Sequence, residues 1–139
     1  MQNPYEKYRQ QSVMTMTQGD MIFLLYSELG DRLGKGLICL ENKDYEGCNT
    51  AFKKAQEILT HLTATLDRKY EVADKLAALY DFFKYQIIQS NIRKEAGPVE
   101  EILPMIKELQ EVFVQADKQV RIENLSLIHI SEPTRRVVI

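Results

Sequence analysis

The chain has 139 residues, of which 45% are hydrophobic and 27% charged, with a formal net charge of −2 and a pI near 5.7. This composition is typical of one globular domain with a modest core and argues against a disordered chain. Nucleic acid and anionic membranes attract cationic surfaces, so neither is predicted as the main partner of this slightly acidic chain, although a local basic patch stays open.

Neither membrane insertion nor a secretory signal is predicted. The early apolar run from Met21 to Tyr26 is far shorter than the ~20 residues that span a bilayer, and no basic segment precedes it. Two cysteines, Cys39 and Cys48, are too few for a disulfide framework and predict reduced, partly buried thiols. These features favour the cytoplasm as the location.

Apolar residues recur at helical spacing in four blocks, and strand patterns are almost absent. Thr17 together with Asp20, and Asp44, are placed to cap the first and second helices. Short connections between long helices favour antiparallel neighbours. The predicted fold is all-α, an antiparallel four-helix bundle with an extended N-terminal leader. The predicted helices span about residues 18–42, 45–67, 71–96 and 99–123.

The sequence Ala96-Gly97-Pro98 separates the third and fourth helices. Glycine suits the left-handed turn that ends a helix, and proline suits the first turn of the next one. The fourth helix has apolar residues at alternating steps of three and four, which is typical of a bundle seam. Pro104 interrupts this pattern, so we expect either a kink or a regular start shifted to about Pro104.

Gly30, Gly34 and Gly36 lie inside the first predicted helix, where each costs about 1 kcal/mol relative to alanine. Their spacing does not match a phosphate-binding loop, and no strand precedes them. We expect either close helix packing or a shallow groove for a partner to offset this cost, and we favour packing.

The residues expected of a metal site or an active site do not occur at a recognisable spacing. His61 and His129 are the two histidines, and Glu57 lies one helical turn before His61. This pair predicts at most a weak surface metal contact, and a solvated pair is the favoured interpretation. Cys39 and Cys48 are interpreted as small core residues. We therefore predict no enzyme, no metal and no cofactor.

Residues 125–139 differ in character from the rest of the chain. The segment from Leu125 to Arg135 reads LSLIHISEPTR, which resembles the conceptual translation of a transposon-end adapter used in sequencing libraries. We predict that residues 1–124 form the domain and that residues 125–139 are adapter read-through. Like an expression scar, this segment is not considered in the prediction of function. The alternative is a genuine amphipathic tail.

Four short motifs occur in order along the chain. Residues 3–8 read NPYEKY, Val13 follows a few residues later, and TQGDMIFLLY comes next. Two longer segments follow, AFKKAQEILTHLTATLD at residues 51–67 and LAALYDFFKYQIIQSNI at residues 76–92. In this order the four motifs resemble the flagellar export chaperone family FliS. Each motif is weak alone, but their order and spacing from Asn3 to about Lys118 make the resemblance specific.

The resemblance implies an export chaperone in the bacterial cytosol. Members of the family bind the disordered C-terminal segment of flagellin, prevent premature polymerisation and keep flagellin competent for flagellar type III secretion. The complex is delivered to FlhA, a component of the export gate, and neither ATP nor a cofactor is used. The implied partners are therefore flagellin and, through the flagellin complex, FlhA, and a homodimer is left open.

The resemblance also implies binding residues. Tyr5, Tyr8 and Val13 of the leader would lie in the groove as a lid and move aside or clamp when flagellin enters, since tyrosine buries a large ring yet tolerates water at its hydroxyl. The alternative is a leader that staples the first helix. The expected groove, for which plain core is the alternative at every position, comprises Leu25, Leu29, Ala55, Leu59, Leu62, Leu66, Leu79 and Tyr80.

Two other classes of protein remain as alternatives. The heptad-like spacing of the fourth helix is also typical of a self-associating structural helical bundle without flagellin binding. A metal-dependent enzyme built on a helical bundle is the other alternative, and the Glu57 and His61 pair is the only feature of the sequence that suggests it.

Overall fold

A computed structural model describes the backbone of residues 18–131 and the side chains of residues 19–116. Residues 18–131 hold four α-helices and no strand, which confirms the predicted all-α four-helix bundle. The chain divides into two compact units, residues 24–109 and residues 1–23 with 110–139. The helices are α1 (Gln18–Glu41), α2 (Tyr45–Ala64), α3 (Glu71–Arg93) and α4 (Gly97–Ser131).

The start and end of α2 follow from local hydrogen bonds. Asp44 caps the helix as predicted, because its side chain accepts a hydrogen bond from the Gly47 backbone N–H at 3.0 Å. The helix ends at Ala64, ahead of the predicted end near residue 67. There the Thr65 hydroxyl donates to the Leu62 carbonyl at 2.6 Å and closes the last turn. The predicted cap at Thr17 lies outside the described residues.

The end of α3 is formed by a left-handed lysine. Lys94 has φ 54° and ψ 45°, and its backbone N–H donates to the Ser90 carbonyl. We expected Gly97 to take this conformation, and that expectation is wrong, because no described glycine has positive φ. Gly97 is instead the first residue of α4, and Pro98 follows in the first turn, as predicted.

The start of α4 is capped from the preceding helix. The buried Ser90 hydroxyl oxygen accepts a hydrogen bond from the Val99 backbone N–H at 3.0 Å, which satisfies one of the unpaired N–H groups of a helix start. Pro104 lies inside α4. Of the two outcomes expected at this proline, a kink or a later start, the later start does not occur.

Two side-chain hydrogen bonds show the relative directions of α2, α3 and α4. Asn91 near the end of α3 donates to Asn49 near the start of α2 at 2.8 Å. Gln86 of α3 donates to Glu101 in the first part of α4, also at 2.8 Å. Both contacts join the C-terminal half of α3 to the N-terminal half of its neighbour, so α3 runs antiparallel to α2 and α4.

Each helix contributes one apolar stripe to the core, and each buried methylene contributes about 0.8 kcal/mol. Leu33 of α1, Leu59 of α2 and Phe83 of α3 are fully buried, as is Ile102 of α4. Within residues 24–109 this core holds the helices together. The largest fully buried side chains are Tyr26, Tyr80, Phe52, Phe83, Leu29, Leu33, Leu59, Leu62, Ile87, Ile102, Ile106 and Val99.

Candidate functional site

The eight predicted groove residues fall into two groups by burial. The first group is fully buried in the core and consists of Leu29, Ala55, Leu59, Leu62 and Tyr80. The second group, Leu25, Leu66 and Leu79, is half-buried. A client that binds without opening the bundle reaches the second group and not the first. The binding role of all eight stays a prediction, as does that of Tyr5, Tyr8 and Val13, which lie outside the described residues.

The buried Tyr80 is tied to Tyr26 of α1. The two hydroxyl oxygens lie 2.5 Å apart in a buried hydrogen bond, and the ring centroids are 6.4 Å apart. Burial is the main reason that the pKa of both phenols lies above its ordinary value. The hydrogen bond raises the pKa of Tyr26 further and opposes the rise at Tyr80. The pair therefore links α1 to α3 in its neutral form.

An exposed apolar stripe lies on the opposite side of α3. It is formed by Phe82, Tyr85, Ile88 and Ile92, which are all exposed. Their steps of three and four residues place them along one side of the helix. We call this stripe the outer face of α3. Contiguous exposed apolar side chains on a folded domain are typical of a binding surface.

Sequence reasoning did not assign the outer face of α3, although its signal is visible. The residues that pack inward from α3, including Tyr80, Phe83 and Ile87, have the same helical spacing as the exposed ones. A helix with apolar residues on two sides indicates two contacts, one with the core and one with a partner.

The glycines of α1 divide between the two predicted environments. A methyl group at Gly36 would overlap the ring of Phe52, with the Cδ1 atom only 2.6 Å away. Close packing is therefore confirmed at this position. Methyl groups at Gly30 and Gly34 would meet no atom within 4 Å, so these two glycines leave open space beside α1.

Both cysteines are free thiols, with Cys48 buried and Cys39 half-buried. Burial raises the pKa of the Cys48 thiol, and the nearby Lys94 acts in the opposite direction. A thiol held in its protonated form is a weak nucleophile. Cys48 therefore fits the predicted role of a small core residue.

Polar side chains are concentrated where α1 meets the start of α2. A cavity of about 380 Å³ is lined by Arg32 and Lys35 of α1, by the cap residue Asp44, and by Glu46 in the first turn of α2. Its lining carries charges of both signs, which gives it no preference for an anion or a cation.

The predicted weak metal contact has no support from a larger cluster. Glu57 and His61 are both exposed. No group of three or more His, Cys, Asp or Glu side chains that could hold a metal ion occurs among the described residues. In the same part of the chain, no helix is both long and apolar enough to cross a membrane.

The described residues form an all-helical bundle with an exposed apolar face on α3, an arrangement that is typical of proteins that bind other polypeptides. Residues 1–120 match the family model described as flagellar protein FliS. The chain belongs to the FliS family, and this membership gives it a chaperone role in flagellar export.

Relatives with established names agree with this assignment. The chain is 32% identical over 116 residues to the flagellar secretion chaperone FliS of Bacillus subtilis (strain 168), covering 84% of the chain and 87% of the relative. It is 28% identical over 107 residues to the protein of the same name from Salmonella typhimurium (strain LT2), covering 75% of the chain and 79% of that relative. It is 22% identical over 108 residues to the protein of the same name from Escherichia coli (strain K12), covering 76% of the chain and 79% of that relative.

Proposed function

We propose that this chain is a cytosolic export chaperone that binds the disordered C-terminal segment of flagellin. In this role it prevents premature polymerisation and keeps flagellin competent for flagellar type III secretion. The match of residues 1–120 to the FliS family carries the proposal. The bundle supports it, because exposed apolar side chains on its helices offer a disordered client a surface to fold against.

The energetics suit a passive chaperone. The resemblance to FliS implies a client whose terminal segments are amphipathic and pack as helices in the filament. Ordering such a segment on binding costs about 2–5 kcal/mol. Burial of its apolar face offsets this cost, which gives a complex that holds the client and still releases it. The chain acts by binding alone, without catalysis, ATP or a cofactor, and delivers flagellin to FlhA at the export gate.

The leader and the half-buried groove residues have separate roles in this proposal. Tyr5, Tyr8 and Val13 act as the lid or clamp over the client. Leu25, Leu66 and Leu79 are the predicted groove residues that a client contacts directly, since their side chains are only half-buried. The buried members of the predicted groove, such as Leu59, support its floor.

Isothermal titration calorimetry tests the proposal. The full chain is titrated with a synthetic peptide of the C-terminal region of the flagellin encoded in the same genome. We expect binding with a negative heat-capacity change, because apolar surface is buried. A peptide of the same composition in scrambled order is the matched control. Absence of binding at tens of micromolar protein contradicts the proposal.

The self-associating structural bundle makes a different prediction. Such a protein forms a stable oligomer whose size does not respond to the flagellin peptide. Light scattering with and without the peptide distinguishes the two functions, because a client-binding monomer or dimer forms a complex with it.

A further inference from the structure

The turn between α1 and α2 brings the two cysteines of the chain together. Cys39 lies in the last turn of α1 and Cys48 in the first turn of α2. The Asp44 backbone N–H donates to the Cys39 carbonyl at 2.8 Å, and the Cys48 backbone N–H donates to the Asp44 carbonyl at 3.0 Å. One residue is therefore hydrogen-bonded to the backbone of both cysteines and holds them on either side of a tight turn.

The sulfur of Cys39 reaches across this turn to α2. It lies against Gly47, the residue before Cys48, because a methyl carbon at Gly47 would be only 2.9 Å from the Cys39 Sγ atom. Glycine allows such a close approach because it has no Cβ. The Cys39 thiol therefore occupies space beside the backbone of α2 that any other residue at position 47 would fill.

The two thiols also act on each other electrostatically. Burial is the main cause of the raised pKa of Cys48, the Lys94 ammonium lowers this pKa, and a charge on Cys39 raises it. An effect of this kind weakens with distance, so it agrees with two neighbouring thiols. A resolving thiol next to an accessible one is typical of a cysteine that is oxidised reversibly.

The two thiols differ in exposure. Cys39 is half-buried and Cys48 is fully buried, and both are free. A small oxidant such as hydrogen peroxide therefore reaches Cys39 first, since oxidation of a thiol requires access to its sulfur.

We infer that Cys39 and Cys48 form a modification site, at which a peroxide oxidises Cys39 and Cys48 then closes a disulfide between α1 and α2. The site lies at the turn between these helices and acts without a client, so the inference goes beyond the proposed function. It requires thiols that start reduced, which agrees with the cytosolic location proposed above.

The reaction has two steps. The Cys39 thiolate attacks one oxygen of hydrogen peroxide, the O–O bond breaks, and Cys39 becomes a sulfenic acid, while the leaving hydroxide takes the thiol proton as water. The Cys48 thiolate then attacks the Cys39 sulfur. The S–O bond breaks as the S–S bond forms, and the leaving hydroxide takes the Cys48 proton as a second water. In total, two thiols lose two electrons and two protons, and one peroxide is reduced to two waters.

Peptide mapping of the full chain tests the disulfide. Lys43 lies between the two cysteines, so trypsin releases them in separate peptides, residues 36–43 and 44–53. After treatment with an equimolar amount of hydrogen peroxide, we expect these two peptides to be joined and to separate when dithiothreitol is added. The chain should stay monomeric on a non-reducing gel. Absence of reaction, a sulfinic acid at Cys39 without the link, or a link between two chains overturns the inference.

Two serine variants test the order of the steps. Cys48→Ser is expected to stop at the Cys39 sulfenic acid, which dimedone traps. Cys39→Ser is expected to lose its remaining thiol to peroxide about tenfold more slowly or less, because Cys48 is buried. Circular dichroism checks that both variants are folded. Equal rates of thiol loss in the two variants overturn the assignment of Cys39 as the site of attack.

The contribution of the fold is measured on the wild-type chain. Two cysteines that are close in sequence also pair in an unfolded chain, so the folded chain is compared with the same chain in concentrated urea. Both are equilibrated with mixtures of reduced and oxidised dithiothreitol. The equilibrium constant for disulfide formation is expected to be about tenfold larger or more in the folded chain, because the turn holds the thiols together. An equal or smaller constant overturns the inference, and since flagellin is absent the proposed function is unaffected by that result.

Discussion

The hydroxyl groups of Tyr26 and Tyr80 lie 2.5 Å apart in the core and join α1 to α3. Both side chains are 1% exposed, so each phenol gives up hydrogen bonds to water on folding. A buried hydroxyl without a partner costs about 1–3 kcal/mol. This contact therefore favours one register of α1 against α3 over alternatives that would separate the two phenols.

The two hydroxyl groups are predicted to be coupled, so that removing both costs less stability than the sum of the two single removals. Tyr26→Phe leaves the Tyr80 hydroxyl buried without the group that it contacts, and we expect the free energy of unfolding to fall by about 1–3 kcal/mol. The double variant Tyr26→Phe with Tyr80→Phe is expected to lose less than the sum of the single losses. Urea denaturation of the four proteins measures the coupling, and strictly additive losses contradict it.

The same pair predicts a loss of stability at alkaline pH. Burial raises the pKa of both phenols above the value of about 10 that tyrosine has in an unfolded chain. Since the folded state holds these protons more tightly, their contribution to stability is fully present below pH 10 and is lost as the pH rises above it. Chemical denaturation from pH 8 to pH 11, with the double phenylalanine variant as control, measures this contribution. An equal decline in both proteins would contradict the prediction.

The helices and much of the core could be predicted from the sequence, because burial on one side of a helix leaves a period in the order of residues. Asp44 was likewise recognisable, since its side chain acts on the N–H groups that follow it directly. Both features depend on residues that are close in sequence. The left-handed conformation of Lys94 was not recognisable, because glycine is the usual residue there and Gly97 stood nearby.

The division between core and surface on α3 needed the structure. Tyr80, Phe83 and Ile87 point inward, while Tyr85 and Ile92 point outward, yet both groups are apolar and have helical spacing. Which group is covered depends on the positions of α1, α2 and α4, which are set by contacts between residues far apart in sequence, such as that between Asn49 and Asn91. For the same reason, five of the eight predicted groove residues proved to be fully buried.

Two glycines of α1 are predicted to respond in opposite directions to the same substitution. Gly36→Ala places a methyl group in the ring of Phe52, and we expect a loss of about 1–3 kcal/mol from overpacking. Gly34→Ala meets no neighbouring atom and is expected to stabilise the chain by about 0.5–1 kcal/mol, because alanine loses less backbone entropy in a helix. Thermal melts of the two variants measure the difference, and a shift of the same sign in both contradicts it.

The proposed lid gives a prediction for the leader, which lies ahead of the four helices in the sequence. Tyr8→Ala is expected to weaken binding of the flagellin peptide in calorimetry, because it removes an aromatic ring that would cover the bound client. The thermal melt should stay almost unchanged, since Tyr8 lies outside the four predicted helices of the sequence. Tyr8→Phe keeps the ring and serves as the matched control with nearly native affinity. A large fall in melting temperature with unaltered affinity would favour the staple, in which the leader holds α1 and does not contact flagellin.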